Sequence, residues 1–194
     1  ILNGDTKSGI TTMIMDKGMD TGDILLMQET PIHQTDTAQN LHDTLSKMGG
    51  ALVLETLKRL EENTLLPVQQ DHNQATFAAK LKKEEGLIRW DQSATSLSNQ
   101  VRGLTPWPGT YTLLKNKRLR IIKVQIGEGS PDDAPGKVAR VTDVGIEVGT
   151  GQGRLIITEL QPEGKKSMPT KSFLAGHKVE RGTLFDPIPI SNQS

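Results

Sequence analysis

The 194-residue sequence contains no cysteine, which excludes disulfide staples and cysteine-ligated zinc. Aromatic residues are scarce. With two Trp, one Tyr and three Phe, any core must be built from Leu, Ile, Val and Met. No apolar run is long enough to span a bilayer as a helix. There is also no net charge, since 23 basic residues balance 23 acidic ones. The balance is not uniform: residues 80–123 carry 10 basic and 3 acidic residues, whereas residues 1–63 carry 5 basic and 10 acidic. A positive segment inside a neutral chain points to a polyanion partner for that part alone, against the plainer reading of a lysine-rich surface. The start, Ile1-Leu2-Asn3-Gly4-Asp5, has no charged leader. It reads as an entry in mid-domain, so the chain is expected to be the C-terminal part of a longer protein.

What the sequence does have is a polar loop between two apolar runs. Ile10 to Met15 lead in and Ile24 to Met27 lead out, with Asp16, Gly18, Asp20, Gly22 and Asp23 between them. The pattern predicts strand, tight loop, strand, with carboxylates on a glycine-shaped connection. Polar loops carried on strands often present chemistry, although Asp and Gly are also the ordinary residues of turns. The acidic spacing does not match a hand-type calcium loop, and neither His nor Cys is close enough to suggest zinc. No metal is expected.

Downstream, Asp36-Thr37-Ala38-Gln39 predicts a capped helix start, with Asp36 as the cap. Leu41, Leu45, Met48 and Leu52 then repeat at helical spacing. Gly49-Gly50 threatens to break that helix, while Val53, Leu57 and Leu60 extend its apolar face. His33 and His42 read as surface or capping residues. Residues 64–80 lose periodicity and read as a linker, which separates a first domain at 1–63 from a second at 81–194. In the second, Ser93 caps a short helix carrying Leu97, Val101 and Leu104, and Trp90 anchors the core. Pro106-Trp107-Pro108-Gly109 is a stiff corner, expected to plug the domain with its indole; base stacking on Trp107 is the sharper alternative. Five short strands follow between residues 110 and 160, with a basic hairpin tip at 115–118 and a short helix at 170–175. They predict an all-β, OB-like barrel. Gly127-Glu128-Gly129 and Gly149, Gly151 and Gly153 sit in strand turns without a following helix, so they make no dinucleotide fingerprint. The tail with Pro187 and Pro189 is expected to be loosely held.

Four segments together resemble the folate-dependent formyltransferases, and within them the methionyl-tRNA formyltransferases. They are Asn3 to Ile24 with its D-x-G-M-D-T-G-D-I loop, Lys80 to Trp90, Arg102 to Gly109 (R-G-L-T-P-W-P-G) and Leu160 to Met168 (L-Q-P-E-G-K-K-S-M). The resemblance implies an α/β fold, the C-terminal part of a Rossmann-like formyltransferase domain, followed by the OB-like domain. It implies that Asp20 is catalytic. It also implies that Met15, Asp16, Gly18, Met19 and Gly22 line the site of 10-formyltetrahydrofolate, the formyl donor. Initiator methionyl-tRNA is the implied partner of the second domain, through Lys80, Lys82, Lys83, Arg102, Lys115, Lys117, Arg118, Lys165, Lys166 and Lys178. A monomer without membrane attachment, in a bacterial cytoplasm or an organellar matrix, is implied as well.

The family also supplies an Asn and a His on an upstream H-P-S-L-L-P-type segment. None of His33, His42, His72 and His177 matches it, so these residues alone are expected to be inactive. Two other readings stand beside this one. A formyltransferase acting on an amino-sugar nucleotide shares the D-T-G loop and needs no basic surface. A non-catalytic nucleic-acid-binding module needs the basic segment but not the loop.

Overall fold

The computed structural model describes residues 1–130 and 132–185; the expectation for the proline-bearing tail lies outside them. The chain divides into two compact units. One runs from Asp5 to Lys80; the other joins Ile1–Gly4 to the chain from Leu81 onward.

The first unit is a hairpin with a helix on it. Strands β1 (Lys7–Met13) and β2 (Ile24–Pro31) pair antiparallel, Lys7 opposite Pro31 and Thr12 opposite Leu26, with a register irregularity after Thr12. Helix α1 (Ala38–Glu61) packs against the hairpin. Thr12 and Thr56 share a hydroxyl hydrogen bond of 2.9 Å, and Thr56 also donates to the Leu52 carbonyl at 2.7 Å. Two expectations are corrected here. The cap is Thr37, not Asp36: Thr37 and Asn40 exchange side-chain-to-backbone hydrogen bonds in a capping box. Gly49-Gly50 does not break the helix. Each glycine costs only about 1 kcal/mol against Ala, and 24 residues of helix absorb it. Ile10 packs over Gly49. Leu52 and Thr56 are the buried residues of α1, while Val53, Leu57 and Leu60 stay exposed.

The segment read as a linker is partly built into this unit. Val68 and Ile24 exchange backbone hydrogen bonds of 2.8 and 2.9 Å, so the chain at Val68 pairs with the start of β2.

The second unit wraps a sheet around one apolar core. Strands β3 (Thr110–Leu114), β4 (Lys117–Gly127), β5 (Val138–Val141), β6 (Ile146–Gly149) and β7 (Arg154–Pro162) follow the path β3-β4-β7-β6-β5, and β8 (Met168–Pro169) adds to β7. All pairs are antiparallel. The β4–β7 register slips on both sides of Lys123, which bends the pair. Helix α2 (Ala94–Gly103) is capped by Ser93, whose hydroxyl accepts from Ser96 N–H, and it buries Leu97 and Val101. The short α3 (Thr170–Leu174) buries Phe173. Trp90 stacks on Phe185 at 5.4 Å and donates its indole N–H to Thr112, joining the stretch before α2 to β3.

Alternation along β4 sends Leu119 and Ile121 inward and leaves Arg118 and Arg120 on the other face. One charged cluster also enters the unit. Arg154 forks onto Asp133 (2.6 and 3.0 Å) and reaches the buried Glu147 at 3.1 Å, and Arg140 meets Glu147 at 2.7 Å. The Arg154 guanidinium holds the Asp133 carboxyl below the usual carboxylate range.

Candidate functional site

Two regions bring predicted site residues together, one in each unit. The first is the loop between β1 and β2. Its neck is closed by Ile14 N–H donating to the Asp23 carbonyl at 2.9 Å. Within it, the Asp16 carboxylate accepts from Gly18 N–H at 2.9 Å and from the Thr21 hydroxyl at 2.6 Å. These bonds, that of Thr21 foremost, stabilise the ionised form and lower the Asp16 pKa. Asp16 thus shapes the loop from inside.

Gly18 and Gly22 are needed for the same internal reason. A Cβ on Gly18 would overlap the Thr21 hydroxyl, and one on Gly22 would overlap the Ile14 carbonyl. Asp20 stands at the tip with φ of 56°, in the left-handed region that Asp tolerates better than most residues. Its side chain is exposed, and among the described residues no side-chain hydrogen bond ties it down. Met15 and Met19 flank it, 88% and 89% exposed, and Ile14 is half exposed. The loop therefore offers a free carboxylate together with exposed, polarizable apolar side chains.

One residue of this site escaped the sequence reading. Gln70 donates its side-chain amide to the Asp20 carbonyl at 2.9 Å and the Gly22 carbonyl at 2.7 Å. It holds the loop from residues that composition marks only as linker. A lone Gln in a polar stretch carries no sequence signal, so only the fold reveals its role.

The second region is a basic face on the other unit. Lys115 and Asn116 make the hairpin turn, both with positive φ, and swing the cationic tip outward. Lys115, Lys117, Arg118, Lys165 and Lys178 line a hollow of about 500 Å³ with an apolar floor that includes Leu114, Met168 and Phe173. His177 stacks on Phe173 at 4.1 Å in the same wall. A neighbouring hollow of about 380 Å³ shares Arg118 and contains Lys83, Trp107 and Arg120. The remaining predicted cations do not line either hollow. Arg102 lies on α2 and bonds the Asn99 side chain at 2.7 Å, Lys82 and Lys166 are exposed elsewhere, and Lys80 falls in the first unit.

Trp107 corrects an expectation: it does not plug the domain but stands 55% exposed. The corner beneath it is closed by Gly109 N–H donating to the Leu104 carbonyl at 2.8 Å. The aromatic side chains that do enter the core, among its Leu, Ile and Val, are Trp90, Phe173 and Phe185. Arg120 was missed by the sequence reading; it lies under the corner, donating to the Pro106 carbonyl at 3.1 Å and the Gln161 side chain at 3.4 Å. Its alternation with buried Leu119 and Ile121 was the available signal. Among the described residues, no three or more His, Cys, Asp or Glu gather as a metal site, and no helix is long and apolar enough to cross a membrane.

Residues 80–178 match the family described as "Formyl transferase, C-terminal domain", and residues 1–57 match "Formyl transferase". The chain belongs to the formyl transferase family. Among its relatives, a "Methionyl-tRNA formyltransferase" of Citrifermentans bemidjiense is 48% identical over 95% of this chain and 58% of its own length. A protein of the same name from Geobacter sulfurreducens is 45% identical over 94% of the chain and 57% of its own length. The chain thus spans less than three-fifths of these formyl transferase relatives. The fold also occurs in solved structures. HypX from Aquifex aeolicus in complex with tetrahydrofolic acid has a TM-score of 0.63 at 19% identity, over 94% of this chain and 35% of that one. WlaRD, a sugar 3N-formyl transferase, has a TM-score of 0.63 at 21% identity, over 85% and 58%.

Proposed function

We propose that this chain serves formyl transfer from 10-formyltetrahydrofolate to the α-amino group of methionyl-initiator tRNA. The amine attacks the formyl carbon and a tetrahedral oxyanion forms. The intermediate then collapses, breaking the bond to the folate nitrogen and releasing tetrahydrofolate. In this reading residues 1–63 contribute the C-terminal part of the catalytic domain, residues 64–80 link, and residues 81–194 hold the tRNA. The observation that carries it is Asp20, an untethered carboxylate at the tip of a loop clamped from behind by Gln70.

Such a carboxylate orients a neighbouring imidazole or takes up the amine proton through water. The exposed Met15 and Met19 suit a flat pterin, with Asp16, Gly18 and Gly22 fixing the loop backbone that it meets. The cations around Arg118 suit phosphates, which give affinity without reading sequence. The bent sheet would then act as an OB-like platform. A monomer working in a bacterial cytoplasm or organellar matrix accompanies this reading.

The test is formyl transfer to methionyl-tRNA by the protein carrying this chain, wild type against Asp20→Asn. The expected outcome is a loss of rate of at least about 100-fold, the usual scale for a positioned acid–base group, with tRNA affinity kept. Undiminished activity would show the loop to be only a turn. Formylation of an amino-sugar nucleotide in place of tRNA would transfer the site to that substrate class.

A further inference from the structure

We infer that the hollow beneath Trp107 is a seat for a single unpaired nucleotide of the RNA strand. The inference rests on the tRNA reading above and deepens it. Lys83, Trp107, Pro108, Arg118, Arg120 and Gln161 line the hollow. Trp107 is the exposed member of the two tryptophans, since Trp90 is buried in the core. The open face of Trp107 is held still. Prolines flank it on both sides, the Gly109–Leu104 hydrogen bond closes the corner, and Thr105 donates to the Val101 carbonyl at 2.6 Å. A rigid aromatic face loses little freedom when a base stacks on it.

Cations surround that face at different depths. Arg120 forms part of the lining, pinned to the Pro106 carbonyl and to Gln161; its Nε is buried without a partner. Gly109 makes room for it, because a Cβ there would overlap the guanidinium. Arg118 lies at the rim, its guanidinium 3.7 Å from the centre of the Tyr111 ring. Glu163 lines the hollow too, and supplies an acceptor for the amino group of a base. The occupant is a strand rather than a free nucleotide because the cations continue. Arg118, Pro162 and Glu163 also line the neighbouring hollow, where Lys115, Lys117, Lys165 and Lys178 follow. It is unpaired because bases inside a duplex have no free face to offer the indole.

The test titrates a short single-stranded oligoribonucleotide, and a duplex of the same length, into the chain while following tryptophan emission. The single strand is expected to quench Trp107 and to bind more tightly than the duplex. Trp107→Ala should weaken single-strand affinity about tenfold with the salt slope unchanged. Arg118→Ala should reduce the slope by about 0.7. Trp107→Tyr, which keeps a ring, should retain most of the affinity. Salt-dependent binding with unchanged emission and no effect of Trp107→Ala would overturn the seat while leaving the basic face intact. Absence of any RNA binding would overturn both. A free nucleoside monophosphate that gives the full quench at the same affinity would overturn the strand assignment.

Discussion

Gln70→Ala is the perturbation that tests most directly how the loop is held. The wild-type amide makes two hydrogen bonds, to the Asp20 carbonyl at 2.9 Å and the Gly22 carbonyl at 2.7 Å. A typical intramolecular hydrogen bond contributes about 1 kcal/mol net, so the pair holds the loop by about 2 kcal/mol. At 1.36 kcal/mol per decade this is about a 30-fold change in the open population. Asp20 raises the stakes, because its left-handed backbone is a conformation that the free chain leaves readily.

The assay is amide hydrogen exchange at Ile14, whose N–H closes the neck onto Asp23. Its protection should fall about 30-fold, by the same arithmetic. The Ile32 amide, bonded to the Thr6 carbonyl at the other end of the hairpin, serves as control and should not change. Gln70→Glu should be worse than Ala at neutral pH, since a carboxylate would face two carbonyl oxygens. It should partly recover below about pH 4, where a protonated acid can donate again. Unchanged protection of Ile14 in Gln70→Ala would mean that the strand ends alone hold the loop, and the reasoning would fail.

Other outcomes follow from the same structure. Arg154→Met takes the guanidinium from Asp133 and leaves the buried Glu147 to Arg140 alone, and should cost about 3 kcal/mol of stability at neutral pH, measured by denaturant unfolding. The folded-state pKa of Asp133 is depressed, so its contribution is present above the unfolded value of about 3.9 and is lost as pH falls through the lower folded value. The gap between wild type and Arg154→Met should therefore narrow on acidification below about pH 4, and a gap that widened would contradict the pairing. Gly22→Ala drives a methyl into the Ile14 carbonyl and should destabilise the first unit by about 1–3 kcal/mol. Gly50→Ala meets open space inside α1 and should stabilise it by about 0.5–1 kcal/mol, which thermal unfolding of the two variants would check.

Local pattern was enough for most elements. The apolar runs around Asp16–Asp23 gave the hairpin, the spacing of Leu97, Val101 and Leu104 gave α2, and the alternations between residues 110 and 160 gave the strands. Those signals are periodic, and periodicity is written in neighbouring residues. The family was legible too, because its motifs are contiguous. The cap of α1 was misplaced by one residue because Asp36 and Thr37 both suit the position and only the backbone chooses between them.

The sequence by itself determined the loop, its carboxylate and the excess of positive charge after residue 80. The tertiary structure alone decided which residues meet. It brought Gln70 to the Asp20 loop across 50 positions of chain, left Trp107 outward while Trp90, Phe173 and Phe185 joined the aliphatic core, and set Arg120 under the corner. It also sorted the predicted cations, gathering Lys83, Lys115, Lys117, Arg118, Lys165 and Lys178 around two adjoining hollows and leaving the others aside. The physical reason is common to all four. Side chains far apart in sequence become neighbours only through packing of the core, and no local propensity records which face of a strand or corner the core will claim.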